Sequence, residues 1–560
     1  MPLPASGLSK DEVLARLTAM RSDDKDWRAG RCFGLVFHAG EDVEEVAREA
    51  STLYLSENGL NPLAFPSLGR MQHEVVEICA DLFHGHHSGA TAAGFMTSGG
   101  TESILLAVKA ARNRARAERG VTEPEIVVAE SAHAAFHKAG EYFGVKVRKV
   151  PVRPDWRADV ESMAAAMNDD TVLVVGSAPQ YPQGVVDPIP ELAALAAASD
   201  VSCHVDACMG GFVLPFAERL GYPVPPWDFR VEGVTSISAD VHKLGYAPKG
   251  ASVLLHRNED LRRHHVFVFD DWLGGFYASP GIAGSKPAGP IAAAWAVLHY
   301  VGEAGYLRLT EVTLEATRRL VDGVRAIPGL TVLGRPESQC VAISAASGSD
   351  VDVFAVMDVL AERGWQLDRQ APPDSLHATV SAGTAASIDD FLADLRASVD
   401  AVGATRTTDR STDYAPLEKA RAVLASLHGV FCGAATPEQP YRTSGATCSP
   451  RMAALSGSDE SIGPRTTHSA PASRYRTIAS ARRSGPPTST PGEGSSRVRL
   501  RSAAASVSPA TTRPAHDTVK WRGAVSRCSR TARSSRANRS GCAPHRFHPS
   551  ARAAASTRTA

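Results

Sequence analysis

The chain has 560 residues and carries 60 Lys+Arg against 60 Asp+Glu, long enough for two or three domains around a large core. The zero net charge is unevenly spread. Residues 431–560 hold 21 basic and 5 acidic groups, leaving 39 against 55 in the first 430, so the body is acidic and gives no footing for nucleic acid. Nine cysteines without a repeating spacing indicate neither a disulfide framework nor a zinc ribbon. The start is polar and charged, so no signal peptide is expected. The longest apolar run, near Ile291 to Val301, is too short to span a bilayer. A reducing cytoplasm is the expected compartment.

In chain order, helices are expected over Lys10–Met20, around Glu41–Tyr54 and from about Ser67, with turn-rich Asn58-Gly-Leu-Asn-Pro before the last. From about 90 to 300, short β-branched runs alternate with helical stretches. The strand candidates are Glu125–Ala129, Lys146–Val150, Thr171–Gly176, Ser202–Val205, Ser236–Ala239 and Ala251–His256. Between them lie helices at Glu102–Arg119, His133–Phe143 and Pro190–Ala198. This alternation predicts an α/β fold with a mostly parallel sheet covered on both faces. From about 305 a long helix leads into Leu330–Leu333, Cys340–Ser344, a helix at Val351–Arg363, and Leu376–Val380. That pattern reads as a smaller α+β domain. The expected division is a helical segment over 1–70, a large domain over 71–304, a small domain over 305–430 and a low-complexity tail over 431–560. The tail is rich in Ser, Arg, Ala, Thr and Pro and lacks the apolar surface that would offset its ordering entropy.

Four features carry chemistry. Thr97-Ser-Gly-Gly-Thr-Glu-Ser103 opens a helix, where glycines and free backbone N–H groups can cradle a phosphate. His133 follows a strand and could stack on a flat cofactor. Asp206, in Cys203-His-Val-Asp-Ala-Cys-Met-Gly-Gly211, ends another strand, and a buried carboxylate there can hold a pyridinium nitrogen protonated. Lys243 follows His242 in the turn after Ser236–Ala239, where desolvation makes an amine nucleophilic toward a carbonyl cofactor. Alone, each has a bland reading: a helix start, a core histidine, a capping aspartate, a surface lysine. Together, in this order after strands, they point to pyridoxal 5'-phosphate held by Lys243 as a Schiff base. Two groupings invite a metal, Cys203/His204/Asp206/Cys208 and His84/His86/His87. The first reads as a buried strand end and the second as a helix end or loop, so no metal is expected.

With these residues in view, the chain resembles the group II pyridoxal-phosphate decarboxylases and, among them, the sphingosine-1-phosphate lyase family. The likeness runs over about residues 10–425. It is carried by Thr97–Ser103, His133–Lys138, Gly176–Pro188, His204–Phe212, Ser236–Gly250 and Tyr277–Pro287. It implies the fold type I, aspartate-aminotransferase-like architecture and a homodimer with active sites between subunits. It also implies that Gly100, Thr101 and His242 bind the cofactor phosphate, that Ser285 reaches that phosphate in the partner, and that Lys249 binds a substrate phosphate. The implied activity is carbon–carbon cleavage of a phosphorylated amino alcohol with aldehyde release. Amino-acid decarboxylation, and a catalytically silent protein of this fold, are the competing readings. Two positions depart from the lyase pattern: Phe37 stands where those enzymes carry Tyr, and Asn61 where they carry His. The loss of two polar partners predicts poorer handling of sphingoid phosphates.

Overall fold

The computed structural model describes residues 3–412, Ser88 excepted. The expected tail over 431–560 and the end of the expected small domain lie outside the described residues. Residues 93–256 supply a seven-stranded sheet. Its strands are β1 (Ala93–Thr97), β2 (Glu125–Ala129), β3 (Lys146–Val150), β4 (Thr171–Ser177), β5 (Ser202–Asp206), β6 (Ser236–Ala239) and β7 (Ser252–His256). They lie in the order β1-β7-β6-β5-β4-β2-β3. Strands β2 to β6 pair in parallel, while β7 runs antiparallel to both β1 and β6. Residues such as Val127, Val174, Val205 and Ile237 are wholly buried, as expected for strands covered by helices on both faces.

Strand β1 was not expected from the sequence. Its Ala-Gly-Phe-Met-Thr composition is weak for a strand, and its pairing with β7 supplies the missing order. Gly94 is required there, because a Cβ would come within 2.3 Å of Leu255 Cδ2. A two-stranded hairpin, β8 (Phe267–Phe269) and β9 (Tyr277–Ser279), follows and was also not expected.

A smaller antiparallel sheet contains β10 (Leu330–Val332), β11 (Cys340–Ala345), β12 (Asp368–Gln370) and β13 (Ser375–Thr379), ordered β10-β11-β13-β12. The helical span Gly289–Arg325 joins the two sheets, and its backbone breaks at Gly302 (φ 58°, ψ 176°). Its first part, with Ile291, Val297 and Leu298, packs in the core of the large sheet. Leu320 and Val324, in its second part, pack in the core of the small one. The long helix expected from about 305 is therefore the second half of a longer element.

Candidate active site

Strands β1, β2, β4, β5 and β6 all point their carboxyl ends to one edge of the large sheet, the edge where open α/β sheets bind ligands. The segments leaving those ends enclose a cavity of about 330 Å³. Gly99, Gly100 and Thr101 follow β1, His133 follows β2, Tyr181 follows β4, Asp206 ends β5, and Asp240, His242 and Lys243 follow β6, all in its wall. The sequence-predicted Lys243, Asp206, His133, Gly100, Thr101 and His242 thus converge on one space.

The helix Gly100–Arg119 starts without a side-chain cap, leaving its first N–H groups directed at the cavity edge. Gly100 admits no side chain: a Cβ would lie 2.8 Å from Cys208 Sγ and 2.9 Å from Asp240 Oδ2. Glu102 braces the turn by accepting from Ser98 N and Ser98 Oγ, both at 2.7 Å, and from Ile282 N at 2.8 Å. His133 is half-buried and its Nδ1 accepts from Ala135 N at 3.1 Å. Burial lowers its pKa, partly offset by the Asp206 charge, so its ring is a neutral face toward the cavity.

Asp206 is buried and takes two hydrogen bonds on Oδ1, from Cys208 N at 3.1 Å and Ser238 Oγ at 3.2 Å. Lys243 Nζ lies 2.9 Å from Asp240 Oδ2. Burial works against the Asp240 charge, yet Lys243 and His242 outweigh it and hold that carboxyl below its ordinary range. His242 is pushed down to about 4, chiefly by burial, and its Nδ1 accepts from Ala251 N at 3.2 Å.

Four expected residues lie outside this wall. Lys249 donates to the His242 carbonyl at 2.9 Å and holds its ammonium 4.8 Å from the Phe37 ring centroid. The residue as a whole is exposed, while desolvation around its ammonium and the nearby Lys243 charge lower it to about 8. Lys249 and Phe37 are thus neighbours. Asn61 instead folds into its own turn, its Oδ1 accepting from Leu63 N at 2.9 Å. Ser285 Oγ accepts from Asn58 Nδ2 at 3.2 Å. Neither histidine grouping gathers ligands: His204 is bonded to two serines, and His84 pairs with Asp228 at 3.0 Å. Sequence reasoning missed Tyr181 and Asp240. Tyr181 sits within the Gly176–Pro188 stretch that carried the resemblance, and Asp240 stands three residues before Lys243, a spacing that was a usable signal.

Residues 20–344 match the model of the pyridoxal-dependent decarboxylase conserved domain. The chain belongs to that family. The sphingosine-1-phosphate lyase of Oryza sativa subsp. japonica is 44% identical over 72% of this chain and 75% of its own length. A probable L-aspartate decarboxylase of Pyrococcus furiosus is 33% identical over 65% of this chain and 94% of its own. Among solved structures, the sphingosine-1-phosphate lyase of Burkholderia pseudomallei matches with a TM-score of 0.70 and 39% identity, over 77% of this chain and 97% of that one. The expected fold type I architecture holds, and the chain is a pyridoxal-phosphate-dependent lyase.

The cavity fits the family's cofactor on its own geometry. Asp240 Oδ1 is buried in the wall and accepts no hydrogen bond from the described residues, the Ser252 hydroxyl being turned to the Ala239 carbonyl at 2.9 Å. The Gly99–Gly100 cradle is open where any Cβ would close it, since one on Gly99 would stand 3.2 Å from His242 Cε1. A primary amine, a buried carboxylate and a helix start thus face one space of suitable volume. No helix among the described residues is long and apolar enough to cross a membrane.

Proposed function

We propose that the chain cleaves the Cα–Cβ bond of a phosphorylated amino alcohol and releases an aldehyde, acting as a cytoplasmic homodimer. The observation that carries the reading is the convergence of Lys243, Asp206, His133 and the Gly99–Gly100 cradle on one cavity. In a family member 44% identical to a sphingosine-1-phosphate lyase, that convergence supports lyase chemistry. When bound, pyridoxal phosphate supplies the electron sink that takes up the electron pair left at the substrate's α carbon. Lys243 holds the cofactor and later carries a proton at the α carbon. Gly100, Thr101 and His242 bind the cofactor phosphate, Asp206 keeps the ring nitrogen protonated, and His133 lies on the ring face. Lys249 binds the substrate phosphate, with Phe37 and Asn61 at the positions that tune that end.

Support for a second copy comes from exposed apolar side chains around the hairpin. Trp272, Leu273 and Phe276 are open to solvent in the single chain, as are Leu53, Leu55 and Leu63, and large apolar side chains left exposed in this way are candidates for an interface. Ser285, exposed and outside the cavity of its own chain, is then available to the partner's cofactor phosphate.

Amino-acid decarboxylation is the second reading, favoured by the L-aspartate decarboxylase relative that the chain covers over 94% of its length. The test incubates the holoenzyme with phosphorylated amino alcohols and with a panel of amino acids including aspartate, following aldehyde and CO₂ together. Aldehyde from the phosphorylated substrates alone is the expected result. CO₂ from an amino acid, with no aldehyde from any phosphorylated substrate, overturns the lyase reading.

A further inference from the structure

Beside Asp206, among residues that do not line the cavity, the sheet buries a line of polar side chains that the chemistry above does not use. His204 lies two residues before Asp206 on β5 and is wholly buried. Its Nδ1 is 2.9 Å from Ser236 Oγ and its Nε2 is 3.2 Å from Ser238 Oγ, both serines belonging to β6. Ser238 Oγ in turn donates to Asp206 Oδ1 at 3.2 Å. The pairing register places His204 opposite Ser236 and Asp206 opposite Ser238, so the two strands interlock these four side chains.

Hydrogen counting gives the line one direction. An ionised Asp206 only accepts, so the single Ser238 proton points to it. Ser238 Oγ must then accept from His204 Nε2–H. It also accepts from the Cys208 thiol, whose Sγ is 3.4 Å away and which burial keeps protonated. Both lone pairs of the hydroxyl are thereby filled. His204 Nδ1, having no proton, accepts from the Ser236 hydroxyl. The opposite tautomer would reverse the chain and withdraw the Ser238 proton from Asp206. Burial pushes His204 down to about 4, so it stays neutral and offers no counter-charge to the carboxylate. Phe136 fixes the ring by an edge contact with centroids 6.0 Å apart.

We infer that His204 and Ser238 are positioning residues for the cofactor's ring nitrogen. The chain Ser236–His204–Ser238 delivers one oriented donor to Asp206 Oδ1, stabilising the carboxylate as an anion and keeping the shared proton on the nitrogen. The inference rests on the assignment of Asp206 to that nitrogen. Without the donor Asp206 becomes a stronger base, and the proton shifts toward it. The neutral histidine matters equally: a charged partner would hold Asp206 in an ion pair of its own, whereas this line leaves its charge for the cofactor.

The test loads wild-type and variant enzymes with pyridoxal 5'-phosphate labelled with ¹⁵N in the ring and reads the nitrogen signal by NMR at neutral pH. The wild type is expected at the protonated position. Ser238→Ala, which deletes one hydroxyl, and His204→Phe, which keeps ring volume without the N–H, shift it toward neutral pyridine. His204→Asn, whose amide can donate to Ser238, moves it back toward wild type. A wild-type signal in both Ser238→Ala and His204→Phe, with a shifted one in Asp206→Asn, overturns the inference and leaves the Asp206 assignment standing. An unshifted Asp206→Asn signal removes the assignment and the inference with it. Should His204→Phe not fold, Ser238→Ala decides alone.

Discussion

Lys243→Ala would ordinarily be expected to remove turnover and leave the fold untouched. The structure predicts a cost in stability as well. Lys243 Nζ lies 2.9 Å from Asp240 Oδ2, and the Asp240 side chain is only 2% exposed. Its other oxygen already lacks a partner, and His242 Nε2, at 3.7 Å, is held neutral by burial. Removing one member of a buried pair costs about 3–5 kcal/mol. The Lys243 side chain is 19% exposed, so water screens part of the loss and about 3 kcal/mol is expected for the cofactor-free protein. The pH dependence inverts too. In the wild type the lowered Asp240 pKa gives stability that is present above the unfolded value and lost as pH falls through the folded one. In Lys243→Ala the largest influence lowering this pKa is gone, and burial, opposed only by the weaker influences that remain, raises the folded pKa above the unfolded value. The variant then loses stability as pH rises through that interval. Urea unfolding of cofactor-free wild type, Lys243→Ala, Asp240→Asn and the double variant reads this directly. Asp240→Asn should restore most of the stability lost in Lys243→Ala, because an amide is far cheaper to bury than an unpaired carboxylate. A Lys243→Ala midpoint equal to wild type, or a double variant weaker than Lys243→Ala, refutes the reasoning.

Gly100→Ala should weaken cofactor binding at least tenfold while the protein still folds, since overpacking of this kind costs about 1–3 kcal/mol and falls on the proposed phosphate cradle; equilibrium dialysis against pyridoxal phosphate checks it. Acid should destabilise the protein early: burial lowers His204 and His242 to about 4 and His265 and His377 to about 3. The unfolded chain therefore takes up protons first as pH falls below about 6.5, costing up to about 1.4 kcal/mol per pH unit for each histidine; equal urea midpoints above and below that window would contradict it. On a sphingoid phosphate, Phe37→Tyr/Asn61→His should raise kcat/KM by a factor of about 100 or more, two hydrogen bonds to a charged group being worth roughly 1.5–3 kcal/mol each. The Asn61 change alone should also loosen its turn, and high wild-type efficiency left unchanged by the double substitution would show that these positions do not set specificity.

The parallel strands were legible because both their faces are buried. Runs such as Glu125–Ala129 and Ser236–Ala239 need no partner to be recognised, and their bounds agree with the structure residue for residue. β1 was illegible because its order comes from β7, more than 150 residues away in the chain. The hairpin was missed because Phe267, Val268 and Phe269 are all exposed, without the alternation that marks a half-buried strand. β12 escaped because Asp-Arg-Gln is polar yet packed. Within the site, Lys243, Asp206 and His133 announced themselves by their order after strands. Asp240 did not, because its importance lies in a through-space pairing. His204 was visible only as an apparent metal ligand, and its true partners stand on the neighbouring strand.

Tyr181 carries a consequence beyond its place in the cavity wall. Its hydroxyl donates to Asp368 Oδ2 at 2.7 Å, and its ring stacks on His377 with centroids 3.8 Å apart. Those two side chains belong to β12 and β13 of the small sheet, so part of the cavity's contour is borrowed from the far end of the described chain. Which molecules the cavity accepts can therefore drift through substitutions in the C-terminal sheet while every group that holds the cofactor stays as it is. The catalytic centre, conversely, is not a module that can be grafted with the large sheet alone.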